Sequence, residues 1–432
     1  MNQSTQNRRK FLFSATALTG MFTLPFTNQA KSKNLSEALT VFNQGTPSDH
    51  VDNEELWNRI HQAYTINPNM VNLNNGGVSP QPRVVQDAMI KYYQWSNETP
   101  SYYMWRILGK DRESVRGKLS ELTGSAPDTL ALCRNTTEAL GNAIMGIHLE
   151  KGDEVVVTKQ DYPNVMHAWN QRAQRDGVVL KKIDIDYKMT EDEIVQLFQS
   201  ATTKKTKVWQ ITHLINWNGL LTPARKLSAE AKKRNVISIV DGAHSFAQFN
   251  FKIADLGCDY FGTSLHKWLC APFGTGMLYV RPERISETYP LIPSTDPFSD
   301  DIRKFESLGT RSFATELAIG TAVNFHQSIG SQLKEERLRF LKNYWVNKVK
   351  NHSKISMTGP IEDHNSGSLC LMSIEGFEPN ILTNKLQSEF NIHTTNVKWE
   401  NMSGIRISPH VYTRTQDLDR LVEAILKIAD ES

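Results

Sequence analysis

The chain has few cysteines and almost no excess charge, and each shortage excludes a class of protein. Cys133, Cys258, Cys270 and Cys370 lie far apart and form no CxxC pair in a chain of 432 residues. That pattern is not a disulfide framework, and buried free thiols are expected instead. The 49 basic and 46 acidic residues leave a net charge of +3. Nucleic-acid binders usually carry a concentrated basic face, so no nucleic-acid partner is expected.

Long apolar runs and several catalytic motifs are also missing. The run at residues 11–24 contains serine, threonine and glycine, and it is too short for a membrane span of roughly 20 apolar residues. No GxSxG, HExxH, Walker or GxGxxG motif occurs. The segment Ser264-Leu265-His266-Lys267 matches the SxxK pattern of penicillin-binding serine enzymes, but the SDN and KTG companions are absent. A serine hydrolase is therefore not expected.

The first thirty residues have the pattern of an export signal. Arg8 and Arg9 precede the short apolar run, as in a twin-arginine leader, although the segment 28–30 fits a cleavage site only in part. We predict that residues 1–30 are a twin-arginine-type signal peptide and that the protein is periplasmic. The alternatives are an ordinary secretory leader and a disordered basic terminus on a cytoplasmic protein.

The rest of the chain divides by pattern into an arm and two domains. Residues 31–70 are mostly polar and are predicted to be an irregular arm with one helical patch at 54–63. Strands then alternate with helices through residues 71–310, which predicts an α/β large domain with a mostly parallel, doubly covered sheet. A long helix over residues 312–349 is predicted to lead into a smaller α+β domain at 311–432.

An acid and a lysine end two neighbouring apolar runs. Asp241 ends Ile237–Asp241, and Lys267 closely follows residues 260–265. Two such strand ends would meet at the sheet edge where α/β folds bind ligands. Pyridoxal phosphate needs this pair, because a lysine forms a Schiff base with its aldehyde and an acid keeps its pyridine nitrogen protonated. The alternatives are a solvated lysine and an aspartate that caps an Asp-Gly turn.

Hydroxyl, imidazole and aromatic side chains follow other predicted strands. Thr136 and Thr137 open a helix, which favours phosphate binding at the helix N-terminus, although an ordinary N-cap has the same sequence. Ser264 and His266 are further candidate phosphate donors. Tyr162 lies in a loop after a strand, where it is either an exposed tyrosine or a ring that stacks on the cofactor.

Three more side chains complete the predicted site. Asn216 lies at a strand end, and His244 stands three residues after the acid of the opening pair. Both are placed beside the cofactor's ring oxygen, and His244 is included among the catalytic residues. Arg406 lies on a predicted strand between apolar residues. It is either part of a buried ion pair or a bidentate clamp for a substrate carboxylate.

Taken together, these segments resemble the class V aminotransferase family of fold-type I pyridoxal-phosphate enzymes, and in particular its isopenicillin N epimerase-like branch. The resemblance covers residues 73–412. Its most specific motifs are Asn135-Thr136-Thr137-Glu138, Gly152-Asp153-Glu154-Val155, Asp161-Tyr162-Pro163, His266-Lys267-Trp268, Gly274-Thr275-Gly276 and Leu308-Gly309-Thr310-Arg311. The resemblance implies an obligate homodimer in which Thr310 reaches the phosphate of the partner subunit's cofactor.

The predicted function is pyridoxal-phosphate chemistry at the Cα of an amino acid or an amino-acid-containing substrate, with Lys267 as the Schiff-base residue. Epimerisation, transamination and loss of a β-group share one carbanion, so an aminotransferase and a carbon–sulfur lyase, such as a periplasmic tailoring enzyme, remain alternatives. The competing class is a non-catalytic binding protein. The cysteine desulfurases of the family use a mobile-loop cysteine, and the corresponding residues 391–403 contain none. Tyr162 also replaces their usual stacking histidine.

Overall fold

A seven-stranded sheet forms the centre of the protein. The computed structural model describes residues 29–42 and 46–431. Its strands are β1 Val71–Asn72, β2 Leu130–Cys133, β3 Glu154–Thr158, β4 Val179–Ile183, β5 Thr206–Thr212, β6 Ile237–Asp241, β7 Tyr260–Ser264, β8 Gly276–Val280, β9 Ile355–Met357, β10 Cys370–Ile374, β11 Ile392–His393, β12 Thr395–Trp399 and β13 Met402–Ile407. The central sheet has the order β2-β8-β7-β6-β5-β3-β4.

Only β8 runs against its neighbours in this sheet, so the predicted mostly parallel sheet is confirmed. Strands β3 and β6 are short and rich in branched apolar residues, and β3 is buried along its whole length. Such runs are typical of strands covered on both faces. Because β5, β6 and β7 are parallel, their carboxyl ends share one edge of the sheet.

Helices cover the sheet and build the second domain. The α-helices are Gln29–Phe42, Glu54–His61, Arg83–Glu98, Pro100–Tyr102, Gly109–Thr123, Thr136–Gly146, Pro163–Asp176, Glu191–Ala201, Ala224–Lys233, Ile253–Leu256, Pro282–Ile285, Phe313–Ile329, Ser331–Val349, Pro379–Phe390 and Thr415–Glu431, with a π-helical turn at Tyr103–Leu108. Thr190 and Glu193 form a capping box before Glu191–Ala201. None of the helices in the described ranges is long and apolar enough to cross a membrane.

The small domain is an antiparallel sheet with helices on it. Its strand order is β12-β13-β10-β9, so β12 is an edge strand. Strand β1 pairs with β11, which ties the segment before the first large-domain helix to the small domain. A separate hydrophobic core includes Val71, Trp345 and Ile405.

Two sequence-based expectations are corrected by the packing. The segment expected to be irregular begins with the helix Gln29–Phe42, which buries Leu35, Ala38, Leu39 and Phe42. Those positions follow the i, i+3, i+4, i+7 spacing of a helix face, which the surrounding polar residues obscure. The predicted leader spans residues 1–30. Its residues 1–28, which include Arg8 and Arg9, lie outside the described residues.

The expected long helix at 312–349 is divided. Gly330, with φ of 91°, separates Phe313–Ile329 from Ser331–Val349. The first helix contributes Leu317 to the large-domain core, whereas Trp345 on the second belongs to the small-domain core. The hydrophobic contacts therefore change from the large-domain core to the small-domain core along residues 313–349.

Candidate active site

A cavity of about 450 Å³ opens at the carboxyl ends of β5, β6 and β7. It brings together every predicted site residue except Thr310. The predicted residues that line it are Thr136, Thr137, Tyr162, Asn216, Asp241, His244, Ser264, His266, Lys267 and Arg406. This position agrees with the rule that open α/β sheets bind ligands beyond the carboxyl ends of their strands.

Lys267 is held by a histidine inside the cavity. Its Nζ lies 3.0 Å from Nε2 of His244. Burial lowers the pKa of Lys267 to about 8, although Asp241 opposes the shift. Burial, with the charges of Lys267 and Arg406, also lowers the pKa of His244 well below its usual value. A neutral His244 accepts a hydrogen bond at Nε2 and carries its proton on Nδ1, which is buried with no partner among the described residues.

Asp241 is buried at the end of β6, beside Thr212 on β5. Its Oδ1 accepts a hydrogen bond from the backbone N–H of Ala243 at 2.9 Å, so the turn-capping role is also present. Burial raises the pKa of Asp241, and the charge of Lys267 partly offsets that effect. A protonated pyridine nitrogen beside Asp241 would be a cation. Its charge would lower the pKa of Asp241 again and so favour the carboxylate form.

A second buried acid lies behind this pair. The carboxyl group of Asp161 accepts hydrogen bonds from the Thr212 hydroxyl at 2.6 Å and from the Thr158 backbone N–H at 2.7 Å. Burial raises its pKa to about 7 despite these bonds, and the charge of Asp241 contributes to the rise. The hydroxyl of Thr212 therefore joins Asp161 to the cavity wall.

The predicted phosphate donors surround the start of the helix Thr136–Gly146. The hydroxyls of Thr136 and Ser264 are 2.7 Å apart, and the Thr136 backbone N–H donates to Ser264 Oγ at 2.9 Å. Asn135 is also the N-cap, since its side chain accepts from the Glu138 N–H. His266 donates from Nδ1 to the carbonyl of Thr275 at 3.1 Å, because a carbonyl only accepts. Hydroxyls and a helix N-terminus at one point suit an anion.

Tyr162 is partly exposed at the cavity, whereas Thr310 lies outside it. Tyr162 precedes the helix Pro163–Asp176, and its ring centroid lies 5.9 Å from Nζ of Lys267. With 40% of its surface exposed, the ring is available to a planar ligand. Thr310 is exposed, follows Gly309 and does not line the cavity.

Arg406 has no carboxylate partner among the described residues, so the ion-pair alternative is not realised. It lies on β13, where Nη1 donates to the carbonyl of Asn216 at 2.9 Å and Nη2 donates to Oδ1 of Asn74 at 3.0 Å. Its Nε is buried and has no partner in the part of the chain that the structure describes, and the same holds for Oδ1 of Asn216. Burial lowers the pKa of Arg406 to about 10. A buried guanidinium that has no carboxylate partner among the described residues is suited to bind an anionic ligand.

Several cavity residues were not identified from the sequence. A Cβ on Gly76 would meet Cζ of Arg406 at 3.3 Å, so glycine leaves space beside the guanidinium. The turn containing Gly76 and Gly77 was visible in the sequence, but its position against Arg406 was not. Thr395, Asn396 and Val397 also line the cavity, and no local pattern marks them because the small domain brings them there.

The residues present fit pyridoxal phosphate. The cavity has an amine with a lowered pKa, a buried acid, an anion-binding helix start and an exposed ring. Three buried hydrogen-bonding atoms have no partner among the residues that the structure describes, and a polar ligand would satisfy them: Nδ1 of His244, Oδ1 of Asn216 and Nε of Arg406. All four cysteines are buried and none lines the cavity.

Comparisons with known proteins identify a family that covers most of the chain. A family model described as Aminotransferase class-V matches residues 71–421. The isopenicillin N epimerase of Amycolatopsis lactamdurans is 26% identical over 86% of this chain and 98% of its own length. The hercynylcysteine sulfoxide lyase of Schizosaccharomyces pombe is 23% identical over 66% of this chain and 75% of its own length.

A solved structure is similar in fold. The apo cysteine desulfurase of Thermococcus onnurineus NA1 is 19% identical, with a TM-score of 0.75 over 84% of this chain and 95% of its own. The predicted fold, a fold-type I pyridoxal-phosphate enzyme with a mostly parallel sheet, is confirmed.

Proposed function

The chain belongs to the aminotransferase class-V family of pyridoxal-phosphate-dependent enzymes, and we propose that it catalyses an epimerase-like reaction at the Cα of an amino acid or an amino-acid-containing substrate. The observation that carries this proposal is one cavity that holds Lys267, the buried Asp241 and the guanidinium of Arg406, which has no anionic partner within residues 29–42 and 46–431. The similarity to an isopenicillin N epimerase over nearly its full length supports this type of reaction.

Each side chain has a distinct task in this proposal. Pyridoxal phosphate, when bound, supplies an electron sink that stabilises negative charge on the substrate Cα. Asp241 holds the pyridine nitrogen, and Thr136 and Ser264 hold the phosphate. Tyr162 covers a ring face, and Arg406 binds the substrate carboxylate.

Proton movement is assigned to Lys267 and its neighbour. A pKa near 8 allows Nζ of Lys267 to hold or release a proton close to neutral pH, so Nζ serves as the base at Cα. The pKa of His244 is lowered so far that its ring stays neutral, and its Nε2 therefore positions Nζ of Lys267 without taking the proton from it. The centre is inverted when solvent that reaches the open side of the cavity supplies a proton to the opposite face of Cα, while the proton taken by Nζ is released to solvent.

Two experiments test the proposal. Lys267→Ala should abolish the absorbance of lysine-linked cofactor, and an unchanged band would contradict the assignment. The wild-type holoenzyme should then be incubated with amino acids in deuterated water. Deuterium at Cα without keto acid supports epimerisation, whereas keto acid indicates transamination.

A carbon–sulfur lyase is the second candidate, because a relative that covers two thirds of this chain is a sulfoxide lyase. Release of a sulfur-containing product from cysteine conjugates, without deuterium exchange in recovered substrate, would favour it. The persulfide chemistry of a cysteine desulfurase is disfavoured, because no cysteine lines the cavity.

We also propose a homodimer in which Thr310 approaches the partner's phosphate site. Thr310 is exposed and outside its own cavity, and the large apolar side chains Phe273, Tyr289, Leu291 and Phe298 are 45–69% exposed. Apolar side chains exposed to this degree are typical of an interface when they are contiguous. Light scattering on the purified protein tests the proposal, and a monomer that retains full activity would contradict it.

Export by the twin-arginine pathway to the periplasm is proposed from Arg8 and Arg9 alone. The pathway suits an enzyme that binds a cytoplasmic cofactor, because folding precedes transport. Replacing both arginines by lysine should retain the protein inside the cell. Continued export of that variant would remove the proposal, and cytoplasmic wild-type protein would favour the alternative location.

A further inference from the structure

Two tryptophans from different domains stack beside the cavity. Trp217 lies in the loop after β5, and Trp399 ends β12 of the small domain. Their ring centroids are 5.1 Å apart, with an angle of 14° between the planes. Both rings are half-buried, so the contact joins the domains near the surface.

Both indole groups are also bonded to the loop that carries Tyr162. Nε1 of Trp399 donates to the carbonyl of Lys159 at 2.8 Å, and Nε1 of Trp217 donates to the carbonyl of Gln160 at 3.1 Å. These two carbonyls are consecutive, and Tyr162 follows two residues later. The stacked pair therefore fixes the small domain against the loop that bears the cavity's exposed ring.

The hairpin β12–β13 is the element held by this contact. It turns at residues 400–401, where Glu400 has φ of 51°. Val397 and Met402 pack with Leu371 in a small core against which both tryptophans lie. The hairpin contributes Thr395, Asn396 and Val397 to the cavity wall, and Arg406 follows on its second strand. Because β12 is an edge strand, no other strand in the described ranges pairs with its outer side.

We propose that the Trp217–Trp399 pair is a latch that holds this hairpin as the specificity wall of the cavity, and that the wall selects substrates whose side chains carry no net charge. The inference rests on the proposed function. Thr395, Asn396, Val397 and Trp217 offer hydroxyl, amide and apolar groups, but no carboxylate or ammonium group. Val397 is buried and Thr395 and Trp217 are half-buried, so a charged side chain placed against them would lose part of its hydration. It would gain no partner from them, and the guanidinium of Arg406 is taken by the substrate carboxylate.

The substrate class is tested with isosteric pairs. Cα exchange in deuterated water should be about 10- to 100-fold faster for glutamine than for glutamate and for norleucine than for lysine, since a group that loses hydration without gaining a partner is disfavoured by a factor in that range. Equal rates for glutamine and glutamate, together with equal rates for norleucine and lysine, would contradict the proposal that the wall selects uncharged side chains. Absence of exchange with every amino acid would refute the proposed reaction, and the substrate class would fall with it.

The latch is tested with Trp399→Phe and Trp217→Phe, which keep a ring but remove the indole N–H. Both variants should reduce the glutamine-to-glutamate ratio by about tenfold and should accelerate amide hydrogen exchange in residues 395–399 and 159–162 of the holoenzyme. The matched control is Trp57→Phe, whose indole donates to the carbonyl of His50 at 2.8 Å away from the cavity. Unchanged amide hydrogen exchange in both test variants would contradict the proposal that the tryptophan pair holds the hairpin. This result does not depend on whether the enzyme is active.

Discussion

Replacing Arg406 by methionine should have opposite effects on stability and on catalysis. Burial lowers the pKa of Arg406 from its usual value to about 10, which corresponds to about 3 kcal/mol of unfavourable free energy for the charged group in the folded chain. Methionine removes that penalty, but the Asn216 carbonyl and Oδ1 of Asn74 each lose a donor, at about 1 kcal/mol each. The cofactor-free variant should therefore be as stable as the wild type, or more stable by about 1 kcal/mol.

Catalysis should fall in the same variant. A charge-assisted hydrogen bond to a carboxylate contributes about 1.5–3 kcal/mol, so kcat/KM for alanine should decrease by about 10- to 150-fold. Alaninamide lacks the carboxylate, so the variant and the wild type should process it at similar rates. Cofactor absorbance should remain unchanged, because the expected loss is of substrate binding.

Chemical unfolding of the cofactor-free protein and Cα exchange with both substrates provide the measurements. Arg420→Met is the control, because Arg420 is exposed and lies outside the cavity. Destabilisation by more than about 3 kcal/mol, the upper range for one unsatisfied buried group, would show that Arg406 is structural. An equal loss of activity with alanine and alaninamide would refute the carboxylate clamp.

Three further predictions concern single groups. Uptake of pyridoxal phosphate by apoenzyme, followed by absorbance, should accelerate about tenfold per pH unit up to about pH 8 and then level off, because the neutral form of Lys267 is the nucleophile and its pKa is about 8; a flat profile would contradict that pKa. Asp161 binds its proton more tightly when folded, with a pKa of about 7 against 3.8 in the ordinary state. Its contribution to stability is therefore complete below about pH 4 and is lost as the pH rises to 7, and Asp161→Asn should flatten this part of a pH–stability curve. Gly76→Ala should raise KM for alanine several-fold while cofactor absorbance is retained, because the added Cβ crowds Arg406; an unchanged KM would show that this space is not used.

The composition of the site was predictable because catalytic groups follow strands. Asp241, Lys267 and Thr136 each stand just after a short apolar run, and parallel strands direct their carboxyl ends to one edge. The alternation of strands and helices likewise predicts the mostly parallel sheet. The helix Gln29–Phe42 was also present in the sequence, as the spacing of Leu35, Ala38, Leu39 and Phe42, but its many polar residues hid it.

Local sequence determined which groups are available for chemistry. Short apolar runs predict strands, and the polar residues that follow them can be recognised from adjacent residues alone. Only the tertiary structure decided how those groups act. Arg406 and Asn216 lie 190 residues apart, yet a backbone carbonyl of one holds the guanidinium of the other. The pKa of Lys267 depends on burial in a cavity whose lining residues range from Gly76 to Arg406. Desolvation and contacts of this range arise only when the two domains pack, and no local pattern records them.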